Sequence, residues 1–174
     1  MGMNTALAAE ALRVREYAYA PYSGFCVGAA LLAENGKIYT GCNVENAAYS
    51  PSNCAERTAF FKALSSGERK FKAIAIAGGK QGGPPVDYCP PCGVCRQVMI
   101  EFCDPELFDV ILVKSEDDYI GSKLSELFPM GFGPGNLTAR GCLLYTSQRT
   151  SRNRSEQVRK MWSMYGKMPL RRYL

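Results

Sequence analysis

The stretch Pro91-Cys92-Gly93-Val94-Cys95 opens a helical segment in a chain of 174 residues that contains no histidine. This combination constrains the fold more than any other feature. Two thiolates do not complete a zinc site, because four ligands are normal, and histidine cannot supply the others. Any remaining ligand must be a Cys, Asp or Glu from elsewhere in the chain, so a second segment has to fold back onto this helix start. Cys89 forms an overlapping C-x-x-C with Cys92. Pro90 and Pro91 lie between them, stiffening the loop and offering no N–H groups, so Cys89 reads as a bystander. A thiol at Cys92, by contrast, sits at a helix N-terminus, where a thiolate is favoured.

The second segment is Asn53-Cys54-Ala55-Glu56-Arg57, another helix start. Two helices beginning at the same edge of a sheet would bring Cys54, Cys92 and Cys95 together. Three protein ligands leave one coordination position open, as in catalytic zinc sites. Glu56 would stand beside that position without being a ligand. Eight cysteines in a chain with no secretory pattern in "MGMNTALAAEAL" are expected to be reduced, which favours metal or catalysis over disulfides and a cytoplasmic location. No apolar run reaches the roughly 20 residues that cross a bilayer.

The net charge of +5 is uneven. Residues 139–174 hold nine Lys/Arg and one acid, Glu156, so 1–138 holds twelve basic and fifteen acidic residues, a net of −3. Nucleic acid is therefore not an expected partner of the body. Residues 1–138 read as the catalytic domain. The basic tail, 139–174, reads as disordered or an atypical extension, with 158–168 readable as a basic amphipathic helix within it, Val158, Met161, Trp162 and Tyr165 on one side.

Periodicity predicts a helix over 4–19, with Leu7, Ala11, Val14 and Ala18 on one face, then a hairpin turning at Asn35-Gly36 as a two-residue loop. A helix follows from near Asn53 to Gly67, then a doubly buried strand, "FKAIAIAGG". After a Gly/Pro-rich loop at 78–91 comes a helix over Cys92–Cys103, a strand over 108–114 and a short helix ending before Pro129. This order predicts an α/β fold, a mixed sheet with helices on both faces. The run "GGKQGG" lacks the Lys-Ser/Thr of a phosphate loop and reads as a turn.

C-x-E followed by P-C-x-x-C matches the zinc deaminase signature in its three-cysteine form. Together with "YAPYSGFCVGAAL", "GCNVENAAYSPSNCAERTAFFKA" and "PCGVCRQVMIEF", the chain resembles the small homotetrameric cytidine deaminases of nucleoside salvage, from about residue 5 to Leu137. The resemblance implies a three-layer fold with a mixed five-stranded sheet, and one Zn²⁺ per subunit held by Cys54, Cys92 and Cys95. It implies hydrolytic deamination of cytidine and deoxycytidine to uridine and deoxyuridine with release of ammonia, and Glu56 as the proton carrier. It also implies Phe25, Asn43, Glu45 and Ala55 as substrate-binding residues, with Phe25 on the pyrimidine face and Asn43 with Glu45 at the sugar. Arg57 would donate hydrogen bonds to the thiolates. Tyr49 and Phe132 would complete a pocket at a subunit interface.

Plainer readings stand beside these. Glu56 could be a capping-box partner of Asn53, Asn43 a strand-end turn residue, and Phe25 ordinary core. Cys26, Cys42, Cys103 and Cys142 read as small apolar residues. Three other functions share features of the chain: deamination of another small cytosine compound such as blasticidin S, editing of single-stranded nucleic acid through the tail, and a structural or redox role for the C-x-x-C.

Overall fold

The computed structural model describes residues 2–137. The basic tail, its 158–168 segment and Cys142 lie outside the described residues. Met1–Gly133 forms one compact unit; within the second, Pro134–Leu174, the described part holds a 3-10 helix, Pro134–Asn136.

Five strands, β1 (Phe25–Ala33), β2 (Ile38–Cys42), β3 (Phe71–Lys80), β4 (Asp109–Val113) and β5 (Tyr119–Lys123), form one sheet in the order β2-β1-β3-β4-β5. Among these five strands only the β3–β4 pair is parallel; helix α3 (Gly93–Phe102) makes its crossover. The alternation of side chains explains why β1, β3 and β4 read as nearly continuous apolar runs. Ala30, Leu32, Ala73, Ala75, Ala77, Ile111 and Val113 face helix α1 (Met3–Arg15). Ala29, Leu31, Ala33, Ile74, Ile76, Val110 and Leu112 face α2 (Ala55–Ser65) and α3. Both faces are covered, so neither set can be polar. The result is three layers, and the mixed five-stranded sheet expected from the resemblance is present.

The α2–α3 side holds the larger side chains. Phe60, fully buried, meets Phe71 edge-on at 5.1 Å and lies 6.2–6.3 Å from Phe108 and Phe102. On the same face Gly41 lets α2 press directly onto β2: a Cβ there would strike the backbone of Ala55 and Ala59.

Strand directions place the site. β1 runs antiparallel to both β2 and β3, so β2 and β3 point the same way. The ends of β2 and β3 and the start of β1 therefore lie at one end of the sheet. The segments leaving β2 and β3 lead into α2 and α3, so both helix N-termini arrive at that same end.

Several details differ from the sequence expectations. The hairpin loop has three residues, not two. Ala33 and Lys37 remain hydrogen-bonded, Gly36 N–H closes a turn onto the Ala33 carbonyl, and Gly36 takes φ +88°. That is a type of hairpin in which the glycine supplies the left-handed position after the turn. Helix α1 stops at Arg15, short of residue 19, because Tyr19 is drawn into pairing with Val44. Strand β5 carried no clear signal; it is a sheet edge with the largely polar sequence Tyr-Ile-Gly-Ser-Lys. The short final helix, α4, spans Leu124–Leu127.

Candidate metal centre and its pocket

Cys54 is the N-cap of α2 and Cys92 the N-cap of α3, with Cys95 in the first turn of α3. Neither cap side chain hydrogen-bonds the backbone N–H groups at the start of its own helix, so both sulfurs are available to other partners. The Cys54 and Cys92 Sγ atoms are 3.8 Å apart, those of Cys92 and Cys95 3.5 Å, and all three lie within 4.8 Å of one another. Zinc–sulfur bonds of about 2.3 Å at tetrahedral angles require sulfur atoms about 3.8 Å apart. The trio thus fits a zinc ion in both donor chemistry and spacing. None of the described cysteines is in a disulfide.

Two anchors hold the trio. Val44 and Asn53 exchange both backbone hydrogen bonds at 2.9 Å, closing the intervening loop and delivering the chain to Cys54. On the other side, the buried Arg15 fans out to three carbonyls: Nε to Cys26 at 3.1 Å, Nη2 to Lys80 at 2.7 Å and Nη2 to Gly83 at 2.8 Å. It ties the start of β1, the end of β3 and the loop leading to Cys92 into one corner. Sequence reasoning missed this residue. Its signal was available: Arg15 follows Ala11 by four residues on the apolar face of α1.

The electrostatics favour a bound cation. Hydrogen bonding from the Cys95 thiol, and then from Arg57 and Cys92, draws the Cys54 thiol down to about 5 against the effect of burial. The Cys95 thiol is pushed in the opposite direction by the same sharing with Cys54. Without a metal, one thiolate is thus held by its neighbours' protons. A divalent ion offers the positive charge that three deprotonated sulfurs need, and two helix N-termini add to it. Arg57 donates Nη2 to the Ser52 carbonyl at 3.2 Å and to Cys54 Sγ at 3.7 Å.

Glu56 is 5% exposed and forms no salt bridge among the described residues. Desolvation is the main cause that raises its carboxyl to about 7, with the nearby Cys54 adding to it. A group of that acidity can both take and give a proton near neutral pH. The capping-box alternative is not formed: Asn53 instead donates its side-chain N–H to Thr58 Oγ1 at 3.1 Å.

Cys54, Glu56 and Cys92 line a cavity of about 360 Å³, together with Phe25, Asn43, Glu45 and Ala55. The structure thus brings together seven of the sequence-predicted residues. Cys95 sits just behind the wall, 1% exposed. Asn43 Oδ1 accepts from Val27 N–H at 2.8 Å, and its Nδ2 donates to the Phe25 carbonyl at 2.9 Å. The Glu45 carboxylate accepts from the N–H groups of Tyr22 and Ser23 and from Ser23 Oγ, which lowers its pKa, the Ser23 hydroxyl first. Both side chains are oriented by backbone before any ligand arrives. Phe25, at the first position of β1, is 40% exposed rather than plain core.

Tyr49 and Phe132 do not line this cavity; they are 73% and 58% exposed on the single chain. Cys89, Pro90, Val27, Ser23 and Ser52 do line it, although sequence reasoning did not select them. Burial pushes the Cys89 thiol up to about 11. Cys26 and Cys103 are buried as expected and Cys42 is half-buried. A second cleft of about 580 Å³ lies between Arg15, Gly82–Pro85 and Lys114–Asp117, and contains none of the cysteines. No helix among the described residues is long and apolar enough to cross a membrane.

The cytidine and deoxycytidylate deaminase zinc-binding region, as a family model, matches residues 1–110. The cytidine deaminase of Sporosarcina psychrophila is 52% identical over 132 residues, 76% of this chain and 93% of the relative. That of Halalkalibacterium halodurans is 50% identical over 71% of this chain and 89% of its own length. Among solved structures, the cytidine deaminase from Burkholderia pseudomallei superposes with TM-score 0.66 at 48% identity, covering 76% of this chain and all of that one. The Mycobacterium tuberculosis enzyme gives 0.63 at 34% identity, covering 76% of this chain and 99% of its own.

Proposed function

We propose that this chain, which belongs to the cytidine and deoxycytidylate deaminase family, is a zinc-dependent hydrolase that converts free cytidine and deoxycytidine to uridine and deoxyuridine with release of ammonia. The observation that carries this reading is the buried Glu56 carboxyl, held near 7, on the wall of the same cavity as the sulfur trio. Zinc held by Cys54, Cys92 and Cys95 supplies a Lewis acid that lowers the pKa of water towards about 7.

The chain's own residues do the rest. Glu56 accepts one proton from the water and delivers it to N3 of the cytosine ring as the water oxygen bonds to C4. It then takes the remaining proton from the C4 hydroxyl and passes it to the amino nitrogen, so that the C4–N bond breaks, ammonia leaves and a C4 carbonyl remains. One carboxyl suffices because the transfers follow one another at one place. Burial keeps competing water off it and sets its acidity for both directions. Phe25 offers a ring face to the pyrimidine, while Asn43 and Glu45 present their remaining acceptor and donor positions to sugar hydroxyls. Ala55, fully buried in the first turn of α2, lets the ring approach closely because it has no longer side chain. Arg57 balances the negative charge of three thiolates.

A free nucleoside suits this site better than nucleic acid. The cavity of about 360 Å³ is of the size of a small-molecule pocket, and residues 1–138 carry a net −3. The exposed Tyr49 and Phe132 are suited to reach a neighbouring subunit's pocket, which supports a homotetramer. A soluble salvage enzyme of the cytoplasm, with residues 1–138 as its catalytic domain, is the role consistent with these features. Ultraviolet measurement of cytidine conversion to uridine tests the reading. Activity should vanish with a zinc chelator, return with Zn²⁺, and be lost in Glu56→Ala; a chelator-resistant activity would contradict it.

A further inference from the structure

The end of β3 carries two adjacent glycines, Gly78 and Gly79, against which the loop leading to Cys92 lies flat. A Cβ built on Gly79 would meet Pro85 Cα at 3.0 Å and Arg15 Nη2 at 3.2 Å. At Gly78 the fit is tighter and points into the pocket. A Cβ there would lie 2.6 Å from Cys89 Sγ, 2.7 Å from Cys89 Cβ and 3.1 Å from Phe25 Cε1. Because Cys89 Cβ is as close as the sulfur, no change of rotamer relieves the overlap; the loop itself has to lift. Gly78 pairs with Val27 in the sheet, and Val27, Phe25 and Cys89 all line the cavity. The missing side chain at Gly78 is therefore the space into which one wall of the pocket sinks.

We propose that Gly78 is a positioning residue for the pyrimidine slot: it seats Cys89 and the edge of the Phe25 ring against β3, and so sets the width of the slot. This rests on the assignment of the cavity to a pyrimidine nucleoside. Cys89 is then no bystander, although it is not a ligand of the metal. Its side chain and the Phe25 ring edge both lie against Gly78, and its high pKa keeps it a neutral packing group. Overfilling a closely packed wall forces shifts of neighbouring groups. Here the shift falls first on Cys89 and the Phe25 ring, which line the ring-binding face.

The test uses zinc-loaded full-length protein, with KM and kcat for cytidine, zinc content, and the Kd for uridine by calorimetry. Gly78→Ala should raise KM and the uridine Kd together by about tenfold, with kcat within about threefold and one zinc per chain. Gly78→Ala/Cys89→Gly removes both clashing atoms and should bring KM back to within about threefold of the wild type. A folded Gly78→Ala protein with KM within about twofold of wild type overturns the proposal, as does failure of the double variant to recover. Should Gly78→Ala not fold, Cys89→Gly alone should raise KM by about threefold through loss of support for Phe25, and an unchanged KM overturns it. A wild-type protein that releases no ammonia from cytidine and binds no uridine overturns the functional reading and this proposal together. An active wild type with an indifferent Gly78→Ala overturns only this one.

Discussion

The sulfur atoms of Cys54 and Cys92 stand 3.8 Å apart at the N-caps of two different helices, 38 residues distant in the chain. The sheet causes this. β2 and β3 point the same way on either side of β1, so the helices that follow them start side by side.

Zinc content should follow the sulfurs and not the C-x-x-C pattern. Cys54→Ala and Cys92→Ala should each fall from one zinc per chain to nearly none after dialysis, because two thiolates hold the ion far less well than three. Cys89→Ala should keep its zinc. Elemental analysis of purified protein decides it, and zinc loss in Cys89→Ala would contradict the ligand set.

Glu56 sets a pH dependence in the metal-free protein. Its carboxyl titrates at about 7 when folded and at about 4.5 when unfolded, so between those values the folded state holds more protons. By linkage, this contribution is fully present below pH 4.5 and is lost as pH rises through 7, amounting to about 3 kcal/mol. Glu56→Gln has no such loss. Its advantage in urea unfolding should therefore grow from pH 4.5 to 7 and level off above 8. An advantage that shrinks over that interval would show the sign to be wrong. The same variant, loaded with zinc, should lose about 10²–10⁴ in kcat.

Arg15 should matter more than its distance from the chemistry suggests. Arg15→Met leaves the carbonyls of Cys26, Lys80 and Gly83 without this donor, a loss of about 3 kcal/mol. Arg15→Lys should recover only part, since one ammonium cannot reach as the fork does. Zinc release to a chromogenic chelator should also quicken, because the loop before Cys92 loses its tether. Equal release rates in the variant and the wild type would argue against that coupling.

Phe60 is the centre of the α2–α3 core, and Phe60→Ala should lower stability by about 3–5 kcal/mol through the cavity it leaves. Denaturant midpoints measure this. A loss below 1 kcal/mol would mean that Phe71, Phe102 and Phe108 collapse into the space.

How much of this was readable depends on how local each signal is. The helix starts at Cys54 and Cys92 are local, set by Asn53-Cys54 and Pro91-Cys92, and they appear within a residue or two of where the sequence puts them. β3 and β4 were legible because both faces are covered and polar residues are excluded. β5 was not, since an edge strand open to water on one side need not be apolar. The third residue of the hairpin loop was also hidden. Asn35-Gly36 signals a turn, but the register of the strands decides how many residues it uses.

In the site, the division is between chemistry and company. The residue types alone narrowed what this protein can hold: without histidine, a metal must be bound by Cys, Asp or Glu, and Cys92 and Cys95 share a helix start through spacing alone. Tertiary structure decided the rest. Convergence of Cys54 with that pair depends on strand direction. The acidity of Glu56 depends on burial, and the value of Arg15 and Gly78 depends on what packs against them. Those quantities arise from atoms distant in sequence, and local pattern carries no record of them.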